Sequence, residues 1–500
     1  MRKNIIKTLS ILSVLYFTVG CKKITDINIS PNNPPLSAAT PEVLFPSGVA
    51  STAARVGGEL NILGGFWSQY YTQSTIANQY RNIDSYNLTR NDMNGDYNEL
   101  FAGALEDYQL AITQAKANNQ WNYFLMATVM KAYTYEVLVD LWDQVPYSQA
   151  FQGQANVQPV FDKGHDIYDG LIKEIDNALA QNYNVQLSPQ DAPTDFVFGG
   201  GKGAMTKWAE FAHTLELKMY LRMVNAYPSE AQAGIAKLYA SPDFLSVDAG
   251  MTNFVNTPNK DNPFYEYNIR SLNTTTNIRA SSTFVSFLLA TQDPRVHTYF
   301  AYTSATPTSI NQGDYLNTNT ALGNAALPVQ TPTDPVWFIS AAESHFLQAE
   351  ALVRYPSLSG GVARDQYIAG VESSFADNGL SKGAADTLAT LSTDPRANWD
   401  ISNNKIRTII YQKWVSFAQG CHALEGFFDQ ERTGYPEHSP VYSTADTYIP
   451  GEWVYSKNAV TPNQQFPKRL IFPASEGDRN KNTPAQVPIT TPVWWGLTTQ

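Results

Sequence analysis

The sequence predicts an all-α protein in which helix–turn–helix pairs form a scaffold for long irregular loops. Three observations carry this. Apolar residues recur at helical spacing along much of the chain, no alternating run is long enough for a major sheet, and the intervening segments are long and polar. Leu105, Tyr108, Ile112 and Ala115 form one stripe, and Thr128, Ala132, Tyr135, Val139 and Trp142 a longer one. Ile167, Leu171, Ile175 and Leu179 follow, then Trp208, Phe211, Leu215 and Met219. Phe338, Ala342, Phe346, Ala349 and Val353, and finally Ile406, Ile410, Trp414 and Phe417, complete the set. Each step of three or four residues keeps the stripe on one helical face, which is the face expected to be buried.

Successive helices joined by short turns suggest stacked, tetratricopeptide-like helix pairs, although the strict repeat signature is absent. The segments 253–282, 304–335 and 437–482 read as loops, and loops this long in a compact protein are usually functional. A net charge of −11 with no Lys/Arg stripe argues against nucleic acid as a partner. The 28 Tyr, 24 Phe and 10 Trp often stand among Asn, Gln and Thr, a mixture suited to binding sugars or peptides.

The N-terminus reads as a secretory leader: Arg2, Lys3 and Lys7 precede the short apolar run from Leu9 to Val19. Thr18-Val19-Gly20-Cys21 resembles a bacterial lipobox, which makes Cys21 the expected site of lipidation. Acyl chains contribute roughly 0.8 kcal/mol per buried CH₂, so two or more anchor a protein stably. The expected organisation is therefore a signal peptide over 1–20, a lipidated tether over 21–40 and a single helical domain over 41–500. Once Cys21 is acylated only Cys421 remains, so no intramolecular disulfide is expected.

Several segments together resemble the SusD/RagB family of outer-membrane nutrient-binding lipoproteins of Bacteroidetes, in its SusD-like branch. Asp140-Leu141-Trp142-Asp143-Gln144-Val145-Pro146-Tyr147-Ser148 is similar to the turn closing the family's first long helix, with Asp143-Gln144 where Gly-Asp is usual. Lys207-Trp208-Ala209-Glu210-Phe211-Ala212 through Leu221-Arg222 resembles a second motif, and Asp293-Pro294-Arg295 a third. Ser340 through Glu350-Ala351, Ile410 through Trp414 with Asp429 to Pro436, and Pro467 to Pro473 with Glu476 and Asn480 match the remainder in order. The resemblance implies a tetratricopeptide-like α fold and capture of glycans or peptides. It also implies a position over a SusC-like TonB-dependent transporter and lipid anchoring in the outer membrane, facing the exterior.

The chemistry-bearing residues fit binding better than turnover. Glu136, Asp140 and Asp143 share a helical face, read as solvated or bonded to turn amides rather than as a cation site. Glu343 and Glu350 read as paired carboxylates, and Arg432 and Arg469 as structural arginines. Phe198 to Gly203 lacks the spacing of a phosphate loop and reads as a turn. His-Glu-x-x-His is missing, and Cys421-His422 with His438 is a weak zinc signal, so no cofactor, metal or catalytic residue is expected. Two aromatic clusters are the ligand-binding candidates: Trp67, Tyr70, Tyr71 and Tyr80, and Phe264, Tyr265 and Tyr267 beside Arg270. The alternatives are a lipid-anchored glycan or peptide hydrolase, and a scaffold that binds only other proteins.

Overall fold

The computed structural model describes residues 39–497; Cys21, the leader and the tether up to residue 38 lie outside the described residues. The architecture is α-helical, with tetratricopeptide-like helix pairs and only short two-stranded ladders among the described residues. The chain runs through α1 (Pro41–Val56), α2 (Glu59–Trp67), α3 (Arg81–Asp84) and α4 (Asn94–Glu99). A π-helical segment, Leu100–Leu105, leads into α5 (Glu106–Ala117), followed by α6 (Trp121–Trp142), α7 (Gly164–Leu179), α8 (Ala204–Met223) and α9 (Pro228–Tyr239). The second half contributes α10 (Ser282–Ala290), α11 (Ala341–Arg354), α12 (Ala363–Asp377), α13 (Lys382–Leu391), α14 (Lys405–Ser416) and α15 (Leu424–Thr433). No described helix is long and apolar enough to cross a membrane.

The stripes locate these helices, but α6 departs from the one-faced pattern. It is buried around its whole circumference because α1, α5, α7 and α8 all pack on it. Two helices in the second half start where a short polar side chain accepts a free amide of the first turn: Ser340 for α11 and Asn404 for α14. The Ser340 cap also explains why Phe338, grouped with a helical stripe in the sequence, belongs to a strand: Val336–Ile339 pairs antiparallel with Ala249–Met251. Three further antiparallel ladders tie the loops down: Tyr71–Gln73 with Ile278–Ala280, Gln144–Pro146 with Phe161–Lys163, and Phe300–Ala301 with Leu327–Pro328.

At the centre, α6, α8, α11, α14 and α15 converge on a buried charge network. Lys218 Nζ lies 2.6 Å from Glu425 and 3.2 Å from Glu136. Arg222 reaches Asp140 at 3.0 Å, Glu425 at 2.6 Å and Asp429 at 3.3 Å. Lys413 pairs with Asp429 at 3.0 Å, and Arg432 grips both oxygens of Glu350. Tyr168 and Trp495 each donate to Asp140 at 2.6 Å. Glu136 and Asp140 are thus not solvated, as the sequence suggested; the long side chains of Lys218 and Arg222 reach them across the helix interface. Burial first, and the surrounding carboxylates next, push Glu136 up to about 8, and burial pushes Glu343 up to about 7. Glu425 is held down at about 2 against the cost of burial, by Lys218 and Arg222.

Two local devices recur. Asp143 ends α6 at φ 71°, the left-handed region that the usual glycine of the family turn enters without strain. Its carboxylate compensates by accepting from Trp494 N at 2.6 Å and lying 3.3 Å from Arg469. Asp293-Pro294-Arg295 folds back on itself, with Arg295 donating to Asp293 at 2.6 Å. Asp394-Pro395-Arg396, not singled out from the sequence, repeats the same self-pairing at 2.6 Å.

The network has a pH signature. Glu136, Glu343 and Glu431, the last raised by burial to about 8, bind protons more tightly folded than unfolded. Their contribution is full below the unfolded glutamate range and is lost as pH rises through 7 to 8. His422, lowered by burial to about 3, acts only below its unfolded value near 6.5, so it does not offset this loss at higher pH. The melting temperature is expected to fall by several °C between pH 6.5 and 8.5, and Glu136→Gln to flatten that slope; scanning calorimetry at both pH values checks it.

Helix spacing has a signature as well. A Cβ at Gly370 of α12 would lie 2.8 Å from the Phe346 ring of α11, whereas one at Gly383 of α13 meets open space. Gly370→Ala is expected to cost about 1–3 kcal/mol from overpacking, and Gly383→Ala to gain about 0.5–1 kcal/mol from helix propensity. Urea unfolding of the two variants should therefore shift in opposite directions.

Candidate functional site: a groove joined to the 262–270 loop

The structure divides the first aromatic cluster. Trp67 is 2% exposed and sits edge-on to Phe427 at 5.0 Å, donating from its indole to Ile83 O. Tyr70, fully buried, stacks on Trp414 at 5.8 Å and donates to its carbonyl at 2.6 Å. Neither ring has a face open to a ligand, so both are core residues rather than contacts. Tyr71 is also buried, and its hydroxyl donates to Ala418 O at 3.3 Å.

Tyr80 is placed differently. It packs edge-on to Phe66 and reaches the wall of a groove of about 230 Å³. Glu59 and Ile62 of α2 form one side of the groove, and Asn82, Asn91, Asp92 and Met93 the other. The polar wall is pre-arranged: Asp92 accepts from Asn82 at 2.8 Å, and from the amide and hydroxyl of Thr89 at 2.6 and 2.7 Å. Sequence reasoning passed over Asn91, Asp92 and Met93; the turn-forming run Asn91-Asp92-Met93-Asn94-Gly95 was the signal available.

The second cluster is built on Asn262. Its side chain accepts from Tyr265 N at 3.1 Å and donates to Asp334 O at 3.0 Å, fixing the turn Pro263–Tyr265. Phe264 is buried and stacks on Tyr71 at 5.8 Å, so it joins the two clusters from inside, and both rings line a small cavity of about 70 Å³. Tyr265 and Tyr267 are half-buried. Arg270 lies over the Tyr265 ring at 5.4 Å, pairs with Asp261 and donates to Asn256 at 2.6 Å.

A polar bridge connects this loop to the groove. Arg55 donates to Tyr267 Oη at 2.9 Å and lies 3.8 Å from Asp96. Burial, and then the neighbouring Glu59 carboxyl, push Asp96 well above the usual carboxylate range. The groove and the Tyr265–Arg270 platform thus share one support. Away from this site, a wider groove of about 700 Å³ is lined by His438, Tyr455, Phe466 and Lys468.

The chain matches, over residues 36–473, the SusD-like family described as starch-binding and associating with the outer membrane, and it belongs to that family. A chitin-binding SusD homologue from Flavobacterium johnsoniae superposes with a TM-score of 0.73 at 22% identity, covering 91% of this chain and 99% of its own. A SusD homologue from Bacteroides uniformis gives 0.74 at 21% identity, covering 91% of this chain and 100% of its own. A SusD-like protein from Bacteroides thetaiotaomicron gives 0.72 at 22%, covering 91% and 99%. No curated protein matches the chain.

Arg55 is the tie between groove and loop. Arg55→Ala is expected to leave the global melting transition within a few °C while accelerating amide hydrogen exchange across 262–270 at least tenfold; a thermal melt and exchange mass spectrometry check the two parts.

Proposed function

We propose that the protein is a non-enzymatic glycan-binding lipoprotein of the outer membrane that delivers oligosaccharides to a SusC-like TonB-dependent transporter. The single observation that carries the reading is the groove walled by Tyr80, Asn82, Asn91 and Asp92, joined through Arg55 to the Tyr265–Arg270 platform. Flat apolar faces beside fixed amide and carboxylate groups match the alternating apolar faces and hydroxyl edges of a sugar ring. Tyr80, Tyr265, Tyr267 and Arg270 are the proposed ligand contacts, with Asn91 and Asp92 at the rim. Family membership supports the binding role, and the chitin-binding relative supports an oligosaccharide as ligand. Cys21 would supply the anchor, and the transporter would supply retention that a shallow site lacks.

Calorimetric titration with chitin- and starch-derived oligosaccharides tests the reading. At least one series should bind, and Tyr265→Ala or Asn91→Ala should weaken it about fivefold to tenfold, equivalent to roughly 1 kcal/mol, with melting unchanged. Release of new reducing ends during incubation, or failure to co-purify with a TonB-dependent transporter from native membranes, would overturn it.

A further inference from the structure

Apart from the groove residues, the N-terminal parts of α7 and α9 bring three metal-ligating side chains together. His165 and Asp169 are one helical turn apart on α7, and Glu230 projects from the first turn of α9. His165 Nε2 lies 2.9 Å from Glu230 Oε2 and 3.8 Å from Asp169 Oδ1, and all three donor atoms lie within 4.8 Å of one another. Zinc binds nitrogen and carboxylate oxygen at about 2.0–2.2 Å, so tetrahedral donors stand roughly 3.3–3.5 Å apart. The observed spacings bracket that value.

We propose that His165, Asp169 and Glu230 bind one zinc ion, leaving the fourth position to water.

Three further features of the surroundings suit this role. The His165 ring is held face to face on Tyr227, with centroids 3.6 Å apart and 8° between planes, and its edge meets Trp494 at 5.5 Å. Its orientation is therefore set before any ion arrives. Asp166 Oδ1 lies 3.9 Å from Nδ1, near the position of the carboxylate that commonly orients a zinc-bound histidine. The two carboxylates converge on the same ring nitrogen, and a cation there would offset their mutual repulsion. Lys173 also faces this pair and tempers its negative charge.

The site joins elements distant in sequence. Its zinc would bridge α7 to α9, whose other ends are already paired through Asp176 and Lys237 at 2.5 Å. It would also fix the C-terminal segment, because Trp494 packs over Gly164 at the start of α7, where a Cβ would lie 2.2 Å from the indole.

Equilibrium dialysis of the tag-free full chain, first stripped with a chelator, against zinc is the test, with tryptophan emission recorded in parallel. One equivalent of zinc should bind and alter the emission. Glu230→Gln and His165→Ala should each weaken binding at least tenfold with unchanged circular dichroism, and Trp494→Phe should keep the zinc but lose the emission change. Millimolar calcium or magnesium should not displace the ion. Equal zinc binding by the wild type and a His165→Ala/Asp169→Ala/Glu230→Ala variant, or displacement by calcium, would overturn the proposal.

Discussion

The rest of the structure depends on the pairing of Lys218 and Arg222 with carboxylates from three other helices. Both cations are fully enclosed, and removing charges from water costs several kcal/mol per ion unless each finds partners in good geometry. Six carboxyls, Glu136, Asp140, Glu343, Glu350, Glu425 and Asp429, face four cations, Lys218, Arg222, Lys413 and Arg432. Burial raises Glu136, Glu343 and Asp140, whereas the cations beside Glu350, Glu425 and Asp429 hold those three down against the same burial. Such a network admits one arrangement of α6, α8, α11, α14 and α15, because displacing any helix strands a charge that nothing else can satisfy.

A scaffold so constrained can carry irregular loops without losing their geometry. Buried polar side chains continue the same logic outward. Asp84 accepts from Thr72, the Gln73 amide and Gln312, binding the Tyr71–Gln73 strand, α3 and the 304–335 loop to one carboxylate. Asn262 does likewise for the 253–282 loop. The groove and its platform are therefore pre-arranged rather than assembled by ligand, which lowers the ordering cost of binding.

Helix positions and the helical class were legible in the sequence because a buried stripe leaves a 3.6-residue period whatever the partner helix. The family motifs were legible for a related reason, since each marks a structural necessity: a helix end at Asp143, a self-paired arginine at Arg295, a hub cation at Arg222. The site was only partly legible. Trp67 and Tyr70 stand among Ser68, Gln69, Thr72 and Gln73, and such polar company suggested solvent exposure. Those polar residues are themselves buried, with Ser68 donating to Ala423 O and Gln69 to Val454 O, each at 2.8 Å. Their partners lie more than 350 residues downstream, beyond the reach of any local pattern. Tyr265 and Arg270, by contrast, stay partly exposed on their loop, as their local polarity suggested.

The span of those pairings has a kinetic meaning. Lys218 and Arg222 meet Glu425 and Asp429 across more than 200 residues of chain, so a polypeptide emerging N-terminus first presents its central helices long before this half of their counter-charges exists. Contacts of such high sequence separation slow folding and leave partly built intermediates exposed. Until then α6 and α8 hold only the pairs they make with each other, Lys218 with Glu136 and Arg222 with Asp140. α15 brings Glu425 and Asp429 to both cations, and only after it does Trp495 add its bond to Asp140, so the hub is completed by the last part of the chain.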